Sequence, residues 1–365
     1  MLSPNLQQVD RTFVRLGKRK LIYFGGCDYF RLASHPSILE AVRDGLERYG
    51  LNVAASRRTT GNHRVYEQLE EKLAQFFGVE SAVLVSSGYV TNLTVAQALA
   101  GEFSHVLIDE HSHACLKDAA AFFDCPILTF KHRDAEDTAR VARRCGNYAR
   151  PVLLTDGMFS HDGELAPLPA YLQILPADGA MMVDDAHGAG TLGESGQGTI
   201  ECLGVSRKRV TQTVTLSKAF GVYGGAILGS RALKKKILAK SHAFVGNTPL
   251  PLPLACAVVR ALEILRSDKT LRQRLNRNTR FAKASLRHAG LAVSDSSSPI
   301  VALVPRNAKA AARLKKELLV QRIYPCFIRY PGGPKDGYFR FAISSEHSLE
   351  QVTRLVNVLT AHVPA

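Results

Sequence analysis

Apolar positions along this chain alternate between two spacings. From Pro36 to Tyr49 the residues Ile38, Ala41, Val42, Leu46 and Tyr49 recur at helical intervals, and Gly50 supplies a C-terminal stop. Val65, Tyr66, Leu69, Leu73, Phe76 and Phe77 repeat that pattern as far as Gly78. The run Ala82-Val83-Leu84-Val85 then reads as a strand, and 91–100 reads as a helix. The alternation continues with strand 105–109, helix 114–122, strand 126–130, helix 135–144 and strand 151–155. Such a βαβα order predicts a mostly parallel sheet covered by helices, an α/β fold.

Two further apolar runs end in polar groups. Met181-Met182-Val183 leads into Asp184-Asp185-Ala186-His187-Gly188, and 210–216 leads into Ser217-Lys218, after which glycines follow at Gly221, Gly224 and Gly225. Strand 224–228 and helix 232–242 come next, then helices at 253–267 and on to about His288. The last stretch has strands at 300–304, 325–329 and 338–343 with helices at 308–321 and 349–362, an α+β pattern with one sheet face covered. The first twenty residues are polar and basic without a clear period, so they predict an extended arm, followed by a short strand at 21–24. The expected organisation is an N-terminal arm over 1–45, a large domain over 46–252 and a small domain over 253–365.

Composition narrows the class. A chain of 365 residues with 46% hydrophobic and 22% charged residues has ample material for a large and a small core. No apolar run approaches the ~20 residues that span a bilayer, and no signal-peptide pattern opens the chain. Seven cysteines without a C-x-x-C pair argue against a disulfide framework or a zinc site, and the expected compartment is the cytoplasm. Lysine and arginine outnumber acids 47 to 32, a formal charge of +15. That excess is read either as solvated helix faces or as a field that draws an anionic substrate. Zinc-finger spacing and aromatic-interleaved basic runs are lacking, so no nucleic-acid partner is expected.

The candidate chemistry lies at the strand ends, where ligands bind in open α/β sheets. A lysine there, beside small residues, can hold a carbonyl cofactor covalently, although most such lysines are merely solvated. An Asp-Asp pair at a strand end is by itself more often a cap or a solvated end. Ser86-Ser87-Gly88-Tyr89, between a strand and a helix, has the form of an anion cradle or of an ordinary tight turn. Lys218 at one strand end, with Asp184 and His187 at another, makes one shared site the better reading.

Asp184-Asp185-Ala186-His187-Gly188 and Thr215-Leu216-Ser217-Lys218 resemble the cofactor motifs of the α-oxoamine synthases, pyridoxal-phosphate enzymes of the aminotransferase fold superfamily that act as homodimers. The likeness runs from about Asp28 to His347. It implies a fold-type-I architecture and a Schiff base on Lys218. Asp184 is then set against the ring nitrogen, with His187 and Ser160 at the phenolic oxygen. His113, from His111-Ser112-His113-Ala114-Cys115, would lie over the ring and reach the substrate carboxylate, while His111 is expected at the surface. Ser87, Gly88, Tyr89 and Thr215 would hold the phosphate, and Thr248 would reach the partner's phosphate across a dimer interface. Arg340, with Asp28 and Arg57, falls to the substrate side.

The same likeness implies decarboxylative condensation of an amino acid with an acyl thioester, carried by CoA or an acyl-carrier protein, to give an aminoketone. The biotin-pathway member, 8-amino-7-oxononanoate synthase, is the first expectation. Members similar to 2-amino-3-ketobutyrate CoA ligase or serine palmitoyltransferase stay open, as do a transaminase on the same fold and a non-catalytic partner subunit. Departures gather at the substrate end. Cys27 stands where the family has asparagine, Asn52-Val53-Ala54-Ala55 where it is glycine-rich, Asn247 where it has serine, and Tyr338 where it has arginine; Ile328-Arg329-Tyr330-Pro331 matches only in part.

Overall fold

The segment expected to be an extended arm folds back on itself. Strands β1 (Gln7–Gln8), β2 (Phe13–Leu16) and β3 (Arg19–Ile22) form an antiparallel sheet in that order. Val14, Leu21 and Ile22 are buried while Arg15, Arg19 and Lys20 face solvent, so the basic residues mask a one-sided apolar pattern. The computed structural model describes residues 4–329 and 333–362; Tyr330 and Pro331 of the motif at 328–331 lie outside the described residues.

Helix α1 (Pro36–Tyr49) starts on a His35 cap with proline in its first turn, and α2 (Arg64–Phe77) ends where Gly78 turns left-handed at φ 62°. There follow β4 (Ser81–Val85), α3 (Gly88–Ala98), β5 (His105–Asp109), α4 (Ala114–Ala120), β6 (Ile127–Phe130), α5 (Ala135–Arg143), β7 (Pro151–Asp156), α6 (Leu168–Ile174), β8 (Ala180–Asp184), α7 (Thr199–Cys202), β9 (Val210–Thr215) and β10 (Gly225–Gly229). Helices α8 (Arg231–Lys240), α9 (His242–Val245) and α10 (Leu252–Ser267) complete this part. The seven strands β4 to β10 make one sheet in the order β4-β10-β9-β8-β7-β5-β6, parallel except at β10, which runs antiparallel to both neighbours. The carboxyl ends of β4, β5, β7, β8 and β9 therefore open on one edge.

The two-residue period of the strands sorts side chains to the two faces. Met182, Ile108 and Leu154 enter one core with Phe123 and Leu116, while Met181, Val183, Leu107 and Leu153 enter another with Phe130 and Tyr171. All six residues of β7 are buried, as a central parallel strand clothed on both faces requires. Each fully buried aliphatic side chain stabilises the fold by about 1.5–3 kcal/mol.

After α10 come α11 (Lys269–His288), β11 (Ile300–Leu303), α12 (Ala308–Val320), β12 (Phe327–Ile328), β13 (Tyr338–Ala342) and α13 (Leu349–His362). β11-β13-β12 is a small antiparallel sheet whose Phe339 and Phe341 pack with Leu314, Leu318, Val352, Leu355 and Leu359. Two compact units result. The larger holds His35–Phe159 and Leu165–Ser267; the smaller holds the chain up to Ser34, the short stretch Ser160–Glu164 and everything from Asp268 onward. The pattern along the chain set the start of the small domain at 253, whereas α10 lies in the larger unit, against α1 and α2. Among the described residues no helix is long and apolar enough to cross a membrane.

Candidate active site

In the larger unit, β8 and β9 deliver the central groups to the open sheet edge. β9 stops at Thr215, and three residues on, the Lys218 Nζ lies 2.7 Å from Nε2 of His187, itself three residues beyond the end of β8. Asp184, the last residue of β8, is 5% exposed, and its Oδ1 accepts the Ala186 amide at 3.1 Å. Its Oδ2 accepts the Asn92 side-chain amide at 2.7 Å and the Cys115 thiol at 3.2 Å. Asp185 points elsewhere. Completely buried, it accepts from the Thr199 amide at 2.8 Å, the Thr199 hydroxyl at 2.5 Å and Gln212 Nε2 at 2.7 Å, and so ties down the loop before α7. Burial pushes its carboxyl up to about 6, against the pull of those donors.

His113 caps α4: its ring Nδ1 accepts the Cys115 amide, and its own amide donates to Asp156 Oδ2 at 2.9 Å. Its ring meets that of Tyr89 edge-on, with centroids 6.3 Å apart. Burial lowers the His113 pKa, partly offset by the negative charge of Asp184, which favours a neutral ring. Burial also raises Asp156, and Asp184 beside it adds to the rise. His111 is not a plain surface residue as expected; it is half-buried and its ring stacks on His132 at 4.4 Å.

The turn between β4 and α3 supplies the cradle. Ser87 caps α3 without a side-chain bond to it. Gly88 sits so close to β9 that a Cβ there would lie 2.6 Å from Thr215 Cβ, and the Thr215 hydroxyl pairs with that of Ser217 at 2.7 Å. The Tyr89 hydroxyl bonds Asp118. Asn247 donates to Ser86 Oγ at 2.8 Å, and the neighbouring Thr248 is exposed. Arg57 is engaged internally: it pairs with Glu70 at 2.5 Å, bonds Asn62 and stacks over Tyr66.

In the smaller unit, Arg340 on β13 reaches Cys27 Sγ at 3.1 Å. The cysteine that replaces the family's asparagine thus stands against the arginine expected to hold a carboxylate. Among the described residues Arg340 Nε is buried without a hydrogen-bond partner. Tyr338 is buried two residues earlier on the strand. Asp28 is spent on backbone amides, those of Leu32 at 2.9 Å and Ala33 at 3.0 Å, so it braces the turn at Leu32–Ser34. Ser160 is half-buried in the short stretch that belongs to this unit. Asn92, Cys115, Asp156 and Ser217 were not singled out from the sequence. Ser217 stands inside the Thr215-Leu216-Ser217-Lys218 motif without a role of its own there, whereas Asn92 is one polar residue of a helix and is unremarkable without the fold.

Comparison with known proteins adds an independent line. The family described as aminotransferase class I and II matches residues 19–359. An 8-amino-7-oxononanoate synthase from Thioalkalivibrio sulfidiphilus is 39% identical over 344 residues, covering 93% of this chain and 88% of the relative. The protein of the same name from Pseudomonas fluorescens is 36% identical, covering 98% and 91%. Among solved structures, Sphingomonas wittichii serine palmitoyltransferase superposes with TM-score 0.90 at 26% identity, over 98% of this chain and 92% of that one. The 8-amino-7-oxononanoate synthase of Francisella tularensis gives 0.81 at 25%, over 93% and 97%. A serine palmitoyltransferase solved with PLP gives 0.92 at 24%, over 98% and 91%, a likeness of fold. With the Lys218, Asp184 and His187 arrangement in place at the ends of β8 and β9, the chain belongs to the class I and II aminotransferase family and, within it, to the α-oxoamine synthases.

Proposed function

We propose that this protein is a pyridoxal-phosphate-dependent acyltransferase of the 8-amino-7-oxononanoate synthase type, condensing an amino acid with an acyl thioester to release CO2, a thiol and an aminoketone. The observation that carries the reading is the Lys218 amine 2.7 Å from His187, beside a buried Asp184. The residues fit the cofactor: an amine for its aldehyde, a buried carboxylate for a protonated ring nitrogen, and a cradle at Gly88 that a larger residue would fill. When bound, pyridoxal phosphate supplies the electron sink that stabilises the carbanion of the amino acid.

The chain's own residues do the rest. Lys218 moves the α-proton, with His187 holding its amine in register. Asp184 favours the protonated ring nitrogen through its negative charge. Ser87, the amides of Gly88 and Tyr89, and Thr215 would hold the phosphate, His113 would cover the ring as a neutral imidazole, and His187 would face the phenolic oxygen, a role the family likeness also gives to Ser160. Arg340 grips the substrate carboxylate. Asp28 and Arg57 take scaffold roles in this reading, because their polar atoms are already paired internally. We further propose a homodimer in which the exposed Thr248 serves the partner's phosphate. All seven cysteines are free thiols, which suits the cytoplasm.

Adding pyridoxal phosphate, L-alanine and a pimeloyl thioester should release thiol and CO2 in equal amounts. Other amino acids and fatty acyl thioesters in the same assay identify a serine palmitoyltransferase-like or 2-amino-3-ketobutyrate CoA ligase-like preference. Thiol-independent conversion of a keto acid would overturn the reading for a transaminase, and failure to bind the cofactor would overturn it for a non-catalytic subunit. Lys218→Ala should leave less than about a hundredth of the activity, since a lost general base alone costs roughly 10²-fold or more.

A further inference from the structure

Asp184 is gripped from behind by Asn92, which lies outside the family motifs, and by Cys115, which closes the motif around His113. Among the described residues its Oδ2 takes Asn92 Nδ2 at 2.7 Å and Cys115 Sγ at 3.2 Å, while its Oδ1 takes the Ala186 amide. The other end of the Asn92 amide is held as well: the Thr213 hydroxyl donates to Oδ1 at 2.7 Å. An ionised carboxylate only accepts, so the reverse orientation would set two acceptors face to face at 2.7 Å. Asn92 and Thr213 are 0% exposed, and Cys115 is 2% exposed. Burial, followed by the charges of Asp184 and Asp156, raises the Cys115 thiol strongly, so it stays protonated; its Sγ lies 2.9 Å from His113 Nδ1 as well as 3.2 Å from Asp184 Oδ2, and its one proton sits between the two acceptors.

We propose that Asn92 and Cys115 are positioning residues for the reaction: together they fix the Asp184 carboxylate in one orientation, with Thr213 bracing the amide behind them. Hydrogen bonds to the charged form favour that form, and in a buried site each counts for more than in water. A second consequence concerns α3. Its first turn begins at Gly88 in the cradle and its second carries Asn92, so one rigid helix sets both the anion end and the acid end of the site. The inference rests on the proposed role of Asp184 as the cofactor's acid partner.

The test uses the full-length protein with pyridoxal phosphate as probe, following cofactor dissociation constant and the absorbance of bound cofactor across pH. Asn92→Ala and Cys115→Ala should each weaken binding about tenfold or more, as loss of an outer hydrogen-bond partner does around other buried ligand groups. Both should also move the acid-side midpoint of cofactor loss to higher pH. Cys115→Ser, which keeps a donor, should restore the wild-type midpoint, a rescue that a mere packing role would not show. Should Asn92→Ala not fold, Thr213→Val keeps the shape while freeing the amide, and the same upward midpoint shift is expected. Wild-type affinity and midpoint in Cys115→Ala and in the folded Asn92→Ala or Thr213→Val would overturn the proposal, provided Asp184→Ala loses binding. If Asp184→Ala itself binds the cofactor normally, the role assigned to Asp184 falls, and the proposal with it.

Discussion

At the scale of single residues, Gly88 is where fold and chemistry meet most tightly. It opens α3, and a methyl group in its place would lie 2.6 Å from Thr215 Cβ, a contact that no rotamer of Thr215 relieves because Cβ itself is the partner. Gly88→Ala should therefore destabilise the protein by about 1–3 kcal/mol, the usual range for overpacking, and weaken cofactor binding as well. Thermal unfolding without cofactor separates the first effect from the second; unchanged stability and affinity would refute the assignment. The meeting of Lys218, Asp184 and His187 at one sheet edge was legible because family motifs carry them at fixed spacing. Arg57 and Asp28 were not, since a motif does not reveal whether a polar group is already spent on Glu70 or on nearby amides. Cys27 stood out as a departure, but its contact with Arg340, 313 residues away, is visible only after folding.

At the scale of elements, helix and strand periods placed most boundaries within a few residues, since each helix buries one stripe and each central strand is apolar throughout. The N-terminal sheet escaped because its strands are short and carry basic residues on their open face. One helix contact and one buried helix residue yield predictions. Gly45 of α1 lies so near α10 that a Cβ would approach Pro253 Cα to 2.8 Å, a backbone atom that cannot yield without moving the helix. Gly45→Ala should cost about 1–3 kcal/mol in chemical denaturation, less the fraction that better helix propensity returns.

On α11, Lys283 is 3% exposed and donates to the Ser296 carbonyl at 2.9 Å. Burial pushes it down to about 8 from 10.5; Glu164 and Asp162 oppose the shift, and Arg287 adds to it. Between these values the unfolded chain binds more protons than the folded one, so this residue's contribution makes stability rise with pH across that window. Below it, the full cost of burying the charged ammonium is present. Lys283→Met should flatten that rise in denaturant midpoints measured below, within and above the window, and an unaltered slope would show that the lysine keeps an ordinary pKa.

At the scale of the whole molecule, the α/β class and a large and a small part were readable from the order of elements. The allocation of Ser160–Glu164 to the smaller unit was not, because five residues in mid-chain carry no pattern that says which core they join. The proposed homodimer is tested by mixing two inactive proteins. Lys218→Ala lacks the amine in its own site, while Thr248→Asp would place a carboxylate against the partner's phosphate, where like charges repel. In a mixed dimer, one site pairs the intact Lys218 of the Thr248→Asp chain with the intact Thr248 of the Lys218→Ala chain. Half of the dimers in an equal, fully exchanged mixture are mixed and each regains one of its two sites, so about a quarter of wild-type activity should return. If Thr248 instead serves its own chain's site, every site in the mixture lacks either a working lysine or a tolerable cradle. No activity would then return, and the assignment of Thr248 across the interface would be withdrawn.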